Sequence, residues 1–172
     1  MNKSNPPVRR SGGEPQHRSR RVGLISDTHG LLRPQALAFL EGCDLIIHGG
    51  DIGNPAILDT LRSVAPVMAV RGNNDTGPFA QGLAAHEFIR VDEVLVYAIH
   101  DRSQIGGDLR ALGVRVVVSG HSHKPCIEER DGLLYVNSGS AGPRRFKLPI
   151  AVGELVVAGA EVTPRIVELQ CA

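Results

Sequence analysis

Asp27 and His29 stand one residue apart, Asp51 follows a Gly-Gly pair, and Asn73 and Asn74 follow a glycine. His100 stands alone, ahead of His121 and His123, which a single serine separates. Imidazole nitrogen, carboxylate oxygen and amide oxygen, with no thiolate among them, suit manganese, iron, nickel or zinc in a site that keeps exchangeable positions. Such a site could bind an ester and activate water. Singly the pieces say little: Asp-x-His also fits a helix-capping Asp beside a surface His, and Gly-Asp is an ordinary turn. The run from Gly120 to His123 says more, because two imidazoles directly after an apolar stretch are costly to bury without partners.

Each cluster follows a short apolar run, at 22–26, 45–49, 67–70 and 114–119. Runs of this length bounded by Gly and Asp predict strands buried on both faces. Pro34 and Pro55 sit at first helical positions, the second behind a capping Asn54, and predict helices over 34–40 and 55–63. A β-α-β-α-β order follows. Residues 86–100 predict a hairpin about Asp92-Glu93, and 103–112 a helix. Segments 126–130, 133–137, 150–157 and 162–168 predict further strands, with Asp131-Gly132 a tight turn. The expected fold is α/β, two stacked mixed β-sheets flanked by helices in an αββα sandwich. Ligands bind such open sheets beyond the carboxyl ends of the strands, so the clusters should meet at one rim. Period-two alternation would set Asp27 and His29 on one side of an extended segment, and His121 and His123 likewise.

The 172 residues, 42% of them hydrophobic, are enough for one domain and one core. Residues 1–21 hold Lys3, Arg9, Arg10, Arg18, Arg20 and Arg21 against Glu14, a net +5 in a chain whose total is +1. The body is therefore mildly acidic. Residues 1–20 combine Pro, Gly, Ser and Arg and are expected to form a disordered basic tail, although a transit peptide or nucleic-acid arm has similar composition. The folded domain is expected over 21–172. Cys43, Cys126 and Cys171 are odd in number and lack metal or redox spacing, so a reducing, cytoplasmic setting is the default. No apolar stretch approaches the roughly 18 residues that span a bilayer. With 3% aromatic residues and no Trp, single-stranded nucleic acid is a poor partner.

The blocks ISDTHG (25–30), GGD (49–51), RGNND (71–75), the lone His100, GHSHKP (120–125) and NSGSAGPR (137–144) occur in that order. In this ordered set the chain resembles the calcineurin-like metallophosphoesterases, in particular their small bacterial and archaeal phosphodiesterase branch, which shares a fold with the retromer subunit of that superfamily. The likeness runs from about Arg21 to the C-terminus. It implies two divalent cations, manganese foremost, with iron, nickel or zinc as alternatives. One would be held by Asp27, His29, Asp51 and His123, and the other by Asp51, Asn73, His100 and His121. Asp51 would bridge cations roughly 3.5 to 4 Å apart that share a hydroxide nucleophile for a small phosphodiester.

Asp51 and Asn74 are the positions the resemblance places nearest the reaction. Larger members carry a general-acid His in the slot of Asn74, and an amide cannot donate a proton at neutral pH. Asp101 replaces a usual Gly and is expected to face solvent rather than orient a liganding imidazole. His48 is expected to be an interior, hydrogen-bonded His, His86 a surface one, and Asp75 structural. Arg144 and Arg145 either clamp a phosphate or are solvated. The alternative function is a protein-interaction scaffold of the same fold, and a homodimer is expected by analogy.

Overall fold

The computed structural model describes residues 18–171, and residues 1–17 of the expected basic tail lie outside the described residues. Ten strands and three helices follow in the order β1 (Arg20–Ile25), α1 (Pro34–Leu40), β2 (Leu45–His48), α2 (Pro55–Arg62), β3 (Val67–Ala69), α3 (Pro78–Gln81), β4 (His86–Val91), β5 (Val94–Ile99), β6 (Val116–Ser119), β7 (Cys126–Arg130), β8 (Leu133–Asn137), β9 (Ala151–Ala158) and β10 (Glu161–Glu168). They form two five-stranded mixed sheets, ordered β10-β9-β1-β2-β3 and β4-β5-β6-β8-β7. β1, β2 and β3 run parallel, as do β5, β6 and β8, so the chain leaves each of these strands at one end of its sheet.

The sheets are held together by what alternates off their inner faces. Val22, Leu24 and Ile47 from the first sheet meet Val96, Ala98, Val116, Val118 and Val136 from the second, with Leu155 and Val157 completing the layer. Opposite residues of the first sheet, Ile25 and Ile46, pack under Leu40 of α1 and Ile57, Leu58 and Leu61 of α2. Side chains of this size, fully buried, contribute roughly 1.5–3 kcal/mol each. Asn54 caps α2 as expected, its Oδ1 accepting from the Ala56 amide at 3.0 Å.

The outer face of the second sheet departs from expectation. Residues 103–112 do not form a helix; a single 3-10 turn at Arg102–Gln104 is followed by turns. Gly106-Gly107 interrupts the run, with Gly107 at φ 80°, and the Asp108 carboxylate takes the amides of Arg110 and Ala111 for itself. A Gly pair and a side chain that competes for backbone donors both disfavour a continuing helix. Leu109 and Val114 still cover Tyr97, Ile99 and Val117. Among the described residues, no helix is long and apolar enough to cross a membrane.

Candidate metal centre

The loops after β1, β2, β3, β5 and β6 converge at one rim and bring the candidate donors together from both sheets. Local backbone geometry differs from simple alternation. Asp27, His29, Asp51, His121 and His123 all have positive φ, between 45° and 66°, so neither Asp-x-His nor His-x-His lies on an extended segment. Left-handed conformations are uncommon outside Gly, are best tolerated by Asp, Asn and His, and cluster at functional sites. The turns aim the paired side chains separately: His123 joins Asp27 and His29, whereas His121 joins Asn73.

In one half of the cluster, His123 Nε2 lies 3.2 Å from Asp27 Oδ1 and 3.3 Å from His29 Nε2. His29 Nε2 is 3.8 Å from Asp51 Oδ2. In the other half, His100 Nε2 is 3.4 Å from the same Asp51 Oδ2 and 3.0 Å from Asn73 Oδ1, which His121 Nδ1 approaches at 2.9 Å. A single Asp51 oxygen thus faces both halves. Asp27 Oδ1 is buried and receives no hydrogen bond, despite the nearby imidazole. Leaving such an acceptor unpaired costs about 1–3 kcal/mol or more. Ligand atoms of Asp27, His29 and His123, and of Asp27, Asp51 and His100, lie within 4.8 Å of one another in each set, and the donor types fit divalent cations. His123 Nδ1 is also unpartnered, for which the packing offers no account.

Neighbouring groups fix the donors. Ser26 Oγ donates to Asp27 Oδ2 at 2.7 Å, and the His121 amide donates to the same oxygen at 3.2 Å. His100 Nδ1 donates to the Gly49 carbonyl at 2.7 Å, which turns Nε2 towards Asp51 and Asn73. Asn137 Nδ2 donates to Gly120 O at 2.6 Å and to Ser122 Oγ at 3.1 Å, tying the His121 loop to the turn after β8. Ser26 and Asn137 are not singled out by residue type; their places inside the ISDTHG and NSGSAGPR blocks are the only sequence signal for them. Asp75 is structural as expected, accepting from the amides of Ile52, Gly53 and Gly72.

Asn74 donates its backbone amide to Asp51 Oδ1 at 2.8 Å and its Nδ2 to Asp51 Oδ2 at 2.7 Å. Burial works against ionised Asp51, but hydrogen bonds from His100 and Asn74 win and hold its carboxyl well below the usual range. Asn74 is thereby a positioning residue for Asp51. Asn74→Ala should lower metal affinity about 10- to 100-fold, the usual effect of losing a ligand's support. Isothermal titration with manganese would show it, and unchanged affinity would discard the role.

Burial lowers His29, and the Arg145 guanidinium, with Nη2 3.4 Å from His29 Nε2, adds to that; the pull of Asp51 the other way is outweighed. Burial also disfavours charged His100, yet its bonds to Asp51 and Gly49 raise it. Asp101 does not simply face solvent. Its Oδ1 accepts from the Ser103 amide at 2.9 Å, and its Oδ2 lies 3.8 Å from His121 Nε2. Arg144, by contrast, bonds the Leu148 carbonyl.

His48 is the interior histidine expected. Thr28 Oγ1 donates to the Ile52 carbonyl and so accepts from His48 Nε2 at 3.0 Å, while His48 Nδ1 accepts from the Gly50 amide at 3.2 Å. Burial pushes His48 down to about 4. Below pH about 6.5 the unfolded chain binds a proton that the folded chain refuses, so stability falls as pH drops towards 4, by up to about 3 kcal/mol. Raised His100 acts in the opposite sense, but equally in a His48→Gln variant. Urea unfolding at neutral and acid pH should therefore show a flatter pH dependence for the variant; equal slopes would contradict the assignment.

The chain belongs to the calcineurin-like phosphoesterase superfamily, whose domain model matches residues 21–158. It is 35% identical over 132 residues to a probable metallophosphoesterase of Methanocaldococcus jannaschii, covering 69% of this chain and 67% of that one. Its fold is similar to that of vacuolar protein sorting 29 from Cryptosporidium parvum, with a TM-score of 0.76 and 20% identity over 88% of this chain and 92% of that one. A structure described as a novel archaeal phosphodiesterase gives a TM-score of 0.66 with 22% identity, over 86% of this chain and 99% of the other. The expected family and sandwich are thereby established.

Proposed function

We propose that this protein is a two-metal-dependent phosphoesterase that hydrolyses small phosphodiesters. The observation that carries the reading is Asp51 Oδ2, which faces His29 on one side and His100 on the other. Asp27, His29, Asp51 and His123 would hold one divalent cation, and Asp51, Asn73, His100 and His121 the second. When bound, the cations supply Lewis acidity, lowering the pKa of water and neutralising phosphoryl oxygens.

The protein's own groups orient and hold. Asn74 locks the Asp51 carboxylate, Gly49 sets the His100 tautomer, and Arg145 offers guanidinium donors to a non-bridging phosphate oxygen. With its amide spent on Asp51, Asn74 gives a leaving group no proton, so activated esters should react best. The archaeal phosphodiesterase of like fold favours diesters as the substrate class.

The test is hydrolysis of bis(p-nitrophenyl) phosphate and p-nitrophenyl phosphate by chelator-treated protein before and after manganese is restored. Activity should vanish on chelation, return with metal and favour the diester. Full metal uptake with no turnover above a metal blank would instead support the scaffold reading.

A further inference from the structure

Two hollows meet at the side chain of His121. One, of about 210 Å3, opens over Asn73, His100 and His121 and is walled by Arg71, Gln104 and Asp101. The other, of about 320 Å3, shares Asp101 and His121 and extends past Arg102, Ser122 and Lys124 to Tyr135 and Cys126. The first is lined by the candidate metal donors. The second has a different chemistry, with an aromatic floor and a cationic edge.

Tyr135 is half-buried; the Arg130 guanidinium carbon lies 5.3 Å from its ring centroid, and that of Arg102, the one of the two that lines the cavity, lies 6.0 Å away. Arg102 is held there by Glu128 at 3.1 Å. Lys124 has no carboxylate partner among the described residues. Ser122 Oγ lies 3.1 Å from Asn137 Nδ2 and 3.3 Å from the Lys124 amide, both of which donate to it, so its own proton is left for another acceptor. A phenol ring and a planar guanidinium are the side chains against which a nucleobase lies flat, and a hydroxyl and an ammonium suit its acceptor edge.

We propose that this second cavity receives the aromatic, nucleoside-like ester group of a phosphodiester whose phosphate lies at the Asp51 cluster. The inference rests on the phosphoesterase reading and narrows its substrate. A sugar or glycerol group has no π face to set against the Tyr135 ring and the Arg102 guanidinium. A polynucleotide would need successive ring platforms, and this floor has one.

Cys126 reports on the cavity without reference to turnover. It lines the hollow and is half-buried, whereas Cys43 is buried and Cys171 lines a different surface hollow near the C-terminus. In the full-length protein, adenosine 5′-monophosphate at several times its Kd should slow iodoacetamide labelling of Cys126 by about fivefold, by simple occupancy. Ribose 5-phosphate should not. Tyr135→Leu should remove the protection and raise KM for bis(p-nitrophenyl) phosphate several-fold; should that variant fail to fold, the comparison of the two ligands on the unmodified chain decides. Equal protection by both ligands, or none by the nucleotide, overturns the inference. Diester hydrolysis without protection removes it and leaves the phosphoesterase reading in place, whereas protection without hydrolysis removes the phosphoesterase reading, and with it the substrate assignment, and leaves only a nucleotide-binding cavity.

Discussion

Asp51→Asn is expected to cut diester kcat/KM by at least about a thousandfold, well beyond the 10- to 100-fold typical of losing a residue that merely supports a ligand. Asn is the informative replacement because Asp51 sits at φ 55°, where Ala would add backbone strain and Asn is tolerated. Its amide cannot reproduce the site. Both Asp51 oxygens accept from Asn74, so either orientation of the new amide sets N–H2 against a donor. It also removes the negative charge shared between the two halves of the cluster. Metal content should fall together with activity, while circular dichroism at the assay temperature checks that the chain remains folded. A folded variant with full metal and activity within tenfold of the parent would refute the bridging role.

Gly72→Ala should be nearly as damaging, by a different route. A methyl group at this position would overlap the backbone nitrogen and Oδ1 of Asp51 and approach its Cα at 2.7 Å. Retreat of the chain is blocked, because the Gly72 amide is held by Asp75 Oδ2 at 2.8 Å. Overpacking typically costs about 1–3 kcal/mol, and contact with backbone rather than a flexible side chain puts this case at the upper end or above. Denaturant unfolding should show that loss, and manganese titration should show reduced affinity at the Asn73 side. Gly106→Ala is the control, since a Cβ there meets nothing within 4 Å. Equal stability of the two variants would remove the idea that close approach at Gly72 shapes the centre.

The rim and its donors were legible because apolar runs and chemistry-bearing residues are adjacent in the chain. Ile25 precedes Asp27, His48 precedes Asp51, and Ser119 precedes His121, so recognising a strand also locates the donor at its end. The direction of each donor was not legible. Alternation assumes an extended backbone, whereas Asp27, His29, His121 and His123 have left-handed geometry, with the first turn held by contacts such as Gly30 N to Ile52 O and Ser140 Oγ to Asp27 O and the second by His121 N to Asp27 Oδ2. These contacts join residues distant in sequence, and local pattern does not encode them. The 103–112 segment misled for the converse reason. Its apolar spacing serves to cover Tyr97 and Val117, and Gly107 and Asp108 decide that it does so as turns. Asp101 was misread because a neighbour on an extended segment should diverge, but the 3-10 turn brings its carboxylate back towards His121.

Asp27, His29, Asp51 and Asn73 hang from one leaf of the sandwich, and His100, His121 and His123 from the other. On the proposed reading, bound cations are therefore a clasp at the open edge of the molecule, and heat tolerance should track free cation concentration as well as hydrophobic packing. A ligand at a hundred times its Kd adds about 2.7 kcal/mol to the folded state. Scarcity of metal would then loosen the two leaves as it silences turnover, coupling the lifetime of the protein to the supply of the ions it employs.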